Sequence, residues 1–230
     1  MKKSAAAIGV AIAAISVTVG LVGCGKDEKS SPATSTSTST STSTTTAAAP
    51  TTTSAQASGP NETIADYIKQ NNIHETMISH NSPGAPTIDL PVPDGWTQLQ
   101  ESPDAPYGGI QFNTPTDPND PPKIIAIVEK LSGNVDTDKL LAVAPGEIKN
   151  LEGYDGGDGK KNSLSGFPAY QLGGSYMKNG AQRAVAQKTV VIQGKDGIYV
   201  LQLNAEGPQV DKTQLMDATT VIDEKTTITP

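Results

Sequence analysis

Along the 230-residue chain the spacing of apolar positions changes twice. From Ala5 to Val22 they run almost unbroken (AAAIGVAIAAISVTVGLV). From Lys26 to Gly59, after a short charged start (KDEK), they give way to Ser, Thr, Ala and Pro. From Pro60 onward they recur at helix and strand periods. Ile64, Tyr67 and Ile68 share one helical face, which predicts a short helix over 63–70. Strand-like pieces follow around Ile73 to Ile78. Ile88, Leu90 and Val92 alternate with Asp89, Pro91 and Pro93, predicting a strand over 88–93 that its prolines confine to an edge. Asp94-Gly95 predicts a tight turn, after which Trp96 packs back into the core. Residues 107–113 (YGGIQFN) form a second strand candidate, and the four prolines of 114–122 exclude both helix and inner strand.

The run Lys123 to Leu131 (KIIAIVEKL) is apolar enough to predict a central strand covered on both faces. Asp136 caps a helix from Thr137, with Leu140, Leu141 and Ala144 turned inward. Pro145-Gly146 ends it or kinks it; if it only kinks, Ile148 and Leu151 continue the same face. Beyond a Gly- and Asp-rich loop at 153–160, three strands make a meander: 166–177, 183–192 and 198–203. Asn179-Gly180 is the strongest hairpin signal in the chain, and Lys195-Asp196-Gly197 turns again. Pro208 and Asp211 open a last helix whose Leu215, Ala218 and Ile222 lie at i, i+3 and i+7. The tail after it either returns along the domain or frays. This order predicts an α/β (α+β) domain over residues 60–230, a mostly antiparallel sheet flanked by helices in layers.

The first 23 residues have a different use. Lys2 and Lys3 precede the apolar run, the layout of a secretory signal. The run ends in Leu21-Val22-Gly23-Cys24, which resembles the lipobox of bacterial lipoproteins. The resemblance implies removal of residues 1–23 and lipid on the sulfur of Cys24, the only cysteine. Several acyl chains hold a protein durably where one would not. Residues 24–59 then read as the lipidated cysteine and a disordered stalk, since a Ser/Thr/Ala/Pro tract buries too little to offset its ordering entropy. Its reach is on the order of 30 Å. Such tracts can carry O-linked sugars, and a bare spacer serves the same mechanical purpose.

Charge changes the picture of partners. The chain has 17 basic and 24 acidic residues. Loss of Lys2 and Lys3 leaves 15 basic residues and a net −9. Without a basic track, nucleic acid is not an expected partner. An anionic membrane surface repels such a body weakly, so attachment falls to the lipid.

No residue pattern points to catalysis. The two histidines, His74 and His80, are six apart, a spacing that fits neither an i,i+4 zinc pair nor a run of ligands. Glu152, Asp155 and Asp158 lack the alternating ligands and terminal Glu of an EF-hand loop. There is no G-x-S-x-G nucleophile elbow, and the Gly-Gly pairs at 108, 156 and 173 lack the context of a phosphate loop. The expectation is a protein that is not an enzyme and has no metal or cofactor. Two readings compete: a module on a stalk that holds an apolar ligand or docks an envelope transporter, and a structural surface protein without a ligand. A concave apolar pocket between sheet and helices favours the first. Tyr107, Ile110, Tyr170, Tyr176 and Met177 are the candidates to line it.

Several segments together resemble a known family: Leu21-Val22-Gly23-Cys24, the Ser/Thr stalk, IDLPVPDGW at 88–96, FPAYQLGG at 167–174, and the final helix after PQVDKTQL. Nearly the whole chain is similar to the LpqN-type lipoproteins of mycobacteria and relatives. The resemblance implies a Mog1/PsbP-like α-β-α sandwich. It also implies a non-enzymatic cell-envelope role on the outer face of the membrane, with an envelope lipid or a lipid-exporting transporter as partner.

Overall fold

The computed structural model describes residues 59–230. Eleven strands and four helices follow in chain order: α1 (Ile64–Gln70), β1 (His74–Met77), β2 (Thr87–Asp89), β3 (Trp96–Leu99), β4 (Gly109–Phe112), β5 (Lys123–Ser132), α2 (Thr137–Val143), α3 (Gly146–Lys149), β6 (Asp155–Gly156), β7 (Lys160–Leu164), β8 (Phe167–Lys178), β9 (Ala181–Gln193), β10 (Ile198–Pro208), α4 (Lys212–Lys225) and β11 (Thr227–Thr229). Nine strands build one sheet in the order β3-β4-β5-β10-β9-β8-β6, with β1 also on β5 and β7 also on β8. Every pairing is antiparallel.

Side-chain alternation divides the core between the two faces of this sheet. On one face Val190, Ile192, Tyr199, Leu201 and Leu203 pack with Leu215, Ala218 and Ile222 of α4, and with Ile88 and Ile228 of the β2–β11 ribbon. On the other, Val191 and Val200 pack with α1 and α2, and Leu172, Tyr176 and Val185 pack with Ile148 of α3. The architecture is an α-β-α sandwich.

Local chemistry explains the element ends. Thr63 caps α1 and exchanges bonds with Asp66 in a capping box. Asp136 accepts from the Lys139 N–H at 3.0 Å and starts α2 where the sequence placed it. Pro145-Gly146 ends that helix rather than bending it, and α3 begins anew. A Cβ at Gly146 would lie 1.9 Å from the Glu62 carbonyl, so only glycine lets α3 meet the start of the domain there. That start is held by Asn150, which accepts from the Asn61 backbone N–H at 3.0 Å and side-chain amide at 2.9 Å and donates to the Asn61 carbonyl at 2.8 Å. The β8–β9 hairpin turns at Asn179 and Gly180, with φ of 53° and 78°.

Some expectations need correction. In place of a strand over 88–93 there is one over Thr87–Asp89, because Pro91 and Pro93 lack the N–H a ladder requires. Ile88 is buried as expected, while Val92 is 45% exposed. β5 lies inside the sheet, yet its cover is uneven: Ile124, Ala126 and Val128 are buried, and Ile125 and Ile127 only half so. The 153–160 loop contains β6, and β3 and β7 are strands beyond those that the periodicity predicts. The tail does return, as β11.

Candidate functional site

The Asn179-Gly180 turn fixes which residues of β8 and β9 face each other. Gly173 pairs with Ala186 and Ser175 with Ala184. These side chains are on the α4 side of the sheet, and all are small. A groove of about 480 Å³ is left between these small residues and Leu215, Met216 and Thr219 of α4. Its floor is Gly173, Ala184 and Ala186; Leu215, Met216 and Thr219 of α4 form one wall, and Gly157, Gly159 and Lys160 the other. Gly159 has φ of +83° and sits against the Gln171 carbonyl, so it passes over β8 where a side chain could not. The size lies within the usual range of small-molecule sites.

The charges around the groove are distinctive. Lys160 reaches it from the sheet edge and Lys212 from the start of α4. Asp211, which precedes α4, spends its carboxylate on Thr116, accepting from the hydroxyl at 2.6 Å and the N–H at 3.2 Å. It therefore does not cap the helix, and the first turn has no acidic residue. The Asp211 carboxylate nonetheless stands at the N-cap, beside the positive end of the helix dipole. At the inner end Lys188, 5% exposed, pairs with Asp223 of α4 at 2.5 Å. That pair, with Gln171 and Thr219, borders a void of about 20 Å³. A separate hollow of about 320 Å³ lies between residues 91–94 and the other side of α4.

None of the five residues named as pocket candidates lines the groove. Tyr107 and Ile110 are 2% and 3% exposed and belong to the core. His80 stacks on the Tyr107 ring at 3.8 Å, and burial raises the phenol's pKa. Tyr170 and Tyr176 project from the opposite face of the sheet. The Tyr170 hydroxyl donates to the Asp158 carbonyl at 2.9 Å, and Tyr176 packs under Ile148 with its pKa raised by burial. Met177, near the end of β8, is exposed. Two faces thus divide the set, and no single cavity gathers it. The sequence did contain the signal for the groove: once Asn179-Gly180 sets the register, small residues coincide at 173, 184 and 186.

The other candidates have structural partners. His80 Nδ1 donates to Glu101 Oε1 at 2.6 Å, and Glu101 also accepts the His80 backbone N–H at 2.7 Å. These bonds hold the Glu101 carboxyl below its ordinary pKa. The His74 ring lies 3.4 Å from the Thr76 hydroxyl. Asp158 pairs with Lys149 at 2.7 Å. Among the described residues no three His, Cys, Asp or Glu side chains are grouped to hold a metal ion. No described helix is long and apolar enough to cross a membrane. Cys24 and the segments 1–23 and 24–58 lie outside the described residues.

Beneath α3 the opposite face holds a polar seam. Gln187 donates to Glu147 and Asn204, both at 2.9 Å, and Gln202 donates to Glu147 at 3.1 Å. Glu129 lies buried beside it. Burial first, then a hydrogen bond that the protonated carboxyl donates to Glu75 and the charges of Glu75 and Glu147, push it up to about 9.

Comparison with known proteins places the chain. The family described as "Probable lipoprotein LpqN" matches residues 60–229. "Lipoprotein LpqN" of Mycobacterium tuberculosis is 60% identical over 176 residues, 76% of this chain and 77% of that one. A crystal structure of LpqN, described as involved in cell envelope biogenesis of Mycobacterium tuberculosis, is also 60% identical. It superposes with a TM-score of 0.74 over 75% of this chain and 100% of that one. The solution structure of cyanobacterial PsbP from Synechocystis sp. PCC 6803 is 8% identical with a TM-score of 0.44, over 68% of this chain and 92% of that one. With the family match spanning nearly all of the described residues, the chain belongs to the LpqN lipoprotein family.

Proposed function

We propose that this protein is a non-enzymatic envelope lipoprotein, tethered through Cys24, that holds the acyl part of an envelope lipid between α4 and the sheet. The observation that carries the reading is the groove of about 480 Å³ floored by Gly173, Ala184 and Ala186. Burying about 200 Å² of acyl surface there yields on the order of 5 kcal/mol before ordering costs. The LpqN relative's link to cell envelope biogenesis accords with a site at a membrane that supplies lipid. A docking role on a lipid-exporting transporter is the second reading. It is favoured by Val210 and Met216, apolar side chains 66% and 56% exposed at the start of α4.

The crystallised relative consists of the matched portion alone, so residues 59–230 serve as an independent domain. Produced in cells with the native envelope and purified without detergent, the domain should show added mass in native mass spectra. That mass should partition into organic solvent. Ala186→Phe, at a half-exposed floor position, should abolish it without unfolding the protein. Bare protein in every preparation, with no shift on adding envelope lipids, would leave the docking role in its place.

A further inference from the structure

We propose that the buried Lys188–Asp223 ion pair closes the inner end of the groove and sets the longest acyl chain that the groove can bury. The inference rests on the groove being a lipid site and names the class of chain it takes. Along β9 the side chains that face α4 are Ala184, Ala186, Lys188, Val190 and Ile192. Lys188 is the one charged residue in that row, and it stands where the small residues of the floor end. Opposite, α4 supplies Leu215, Met216 and Thr219 to the wall and then Asp223 one turn further on. Helix and strand thus run together from the exposed Lys212 and Met216 to the ion pair.

The small void at that end points the same way. Gln171, Ala186 and Thr219 line the groove of about 480 Å³ and also a void of only about 20 Å³ beside it, which Lys188 and Asp223 border. The void's other walls include Ile124, Leu203, Ala205 and Ile222, so apolar cover continues past the point where the space closes. What stops a chain there is the Lys188 side chain, 5% exposed and paired with Asp223 at 2.5 Å. A methyl end cannot displace it, since a buried charge left without its partner costs far more than another buried methylene contributes. From Ala184 to Lys188 the strand rises about 13 Å. A zigzag of carbon–carbon bonds of about 1.5 Å covers that length in about ten bonds. A longer chain leaves its surplus carbons and its headgroup outside.

The test titrates residues 59–230 with octyl, decyl, dodecyl and tetradecyl maltoside, each below its micelle concentration, so that only chain length varies. While the chain is shorter than the groove, each added pair of methylenes should tighten binding about tenfold. Once the groove is full, the gain should drop to about twofold or less, because the extra carbons stay in water. Lys188→Ala with Asp223→Ala removes the stop and leaves no lone buried charge. In that variant, once circular dichroism shows the parent fold, the tenfold steps should continue to tetradecyl. Thr219→Leu, at a half-buried position of α4 where the groove narrows, should move the break to a shorter chain and needs no change at the ion pair. Even tenfold steps through tetradecyl in the parent overturn the stop while the groove stands. So does a break at the parent's chain length in either variant. No binding of any maltoside, or binding of all of them to Ala186→Phe as to the parent, overturns the groove itself.

Discussion

Arg183, the only arginine in the chain, closes on Asp120 with both terminal nitrogens, one at 2.5 Å and one at 2.9 Å. Its Nε donates to Glu206 at 2.6 Å, so one guanidinium ties the proline-rich loop between β4 and β5 to strands β9 and β10. Lysine cannot reproduce this planar fork. Arg183→Lys should therefore cost about 1–3 kcal/mol, below the range for a fully buried pair because the Asp120 side chain is 43% exposed. The guanidinium's hydrogen bonds hold the Asp120 carboxyl below its ordinary 3.8. A depressed carboxylate stabilises above that value and loses its effect as pH falls below it. The gap between the parent and Asp120→Asn in chemical denaturation should accordingly narrow in acid. A gap that is constant with pH would count against the assignment.

Glu129 should give the opposite slope. With its folded pKa about 9 against an ordinary 4.5, the folded state keeps a proton that the unfolded chain releases. The stability linked to this proton is fully present below about 4.5 and is lost as pH rises through about 9. Glu129→Gln replaces the protonated acid with a neutral amide. Its melting temperature should gain on the parent's steadily across that window. Parallel curves for the two proteins would show that the carboxyl is ionised in the fold.

Trp96 is 7% exposed and its ring lies 5.5 Å from that of Phe112 in a tilted pair. Trp96→Ala should cost about 3–5 kcal/mol. Far-ultraviolet circular dichroism is the suitable probe, since the substitution removes the only tryptophan. An unchanged denaturation midpoint would mean that the ring does not close the core.

Cys24→Ala should abolish incorporation of a fatty-acid probe and leave the signal segment uncleaved by the lipoprotein peptidase. The motivation is the Leu21-Val22-Gly23-Cys24 end of the apolar run. Equal labelling of parent and variant would refute attachment at this sulfur.

Much of the fold was legible because its strongest signals are local. The capping aspartate of α2, the Asn179-Gly180 turn and the i, i+3, i+7 stripe of α4 each encode geometry within a few residues. What escaped depends on distant partners. β7 (KKNSL) reads as polar because only Leu164 among its residues is buried. The tail could have returned or frayed; its three residues are the strand β11 only because they find β2 across the chain. The groove escaped for a related reason. Large aromatic residues attract attention as ligand contacts, but here they fill the core, and the space is made by residues with almost no side chain. The register that reveals it was available from the hairpin turn.

The Asn61–Asn150 clasp also has a mechanical consequence. A pull arriving along the chain from the residues before Gly59 meets the folded body at Asn61. There three short hydrogen bonds, all to one side chain, take the force before any strand does. Behind them Gly146 lies against the Glu62 carbonyl, and the capping box of α1 follows at once. The load is spread over α3 and α1 on one face of the sheet, while α4 and the groove, on the far face, stay out of the direct line of tension.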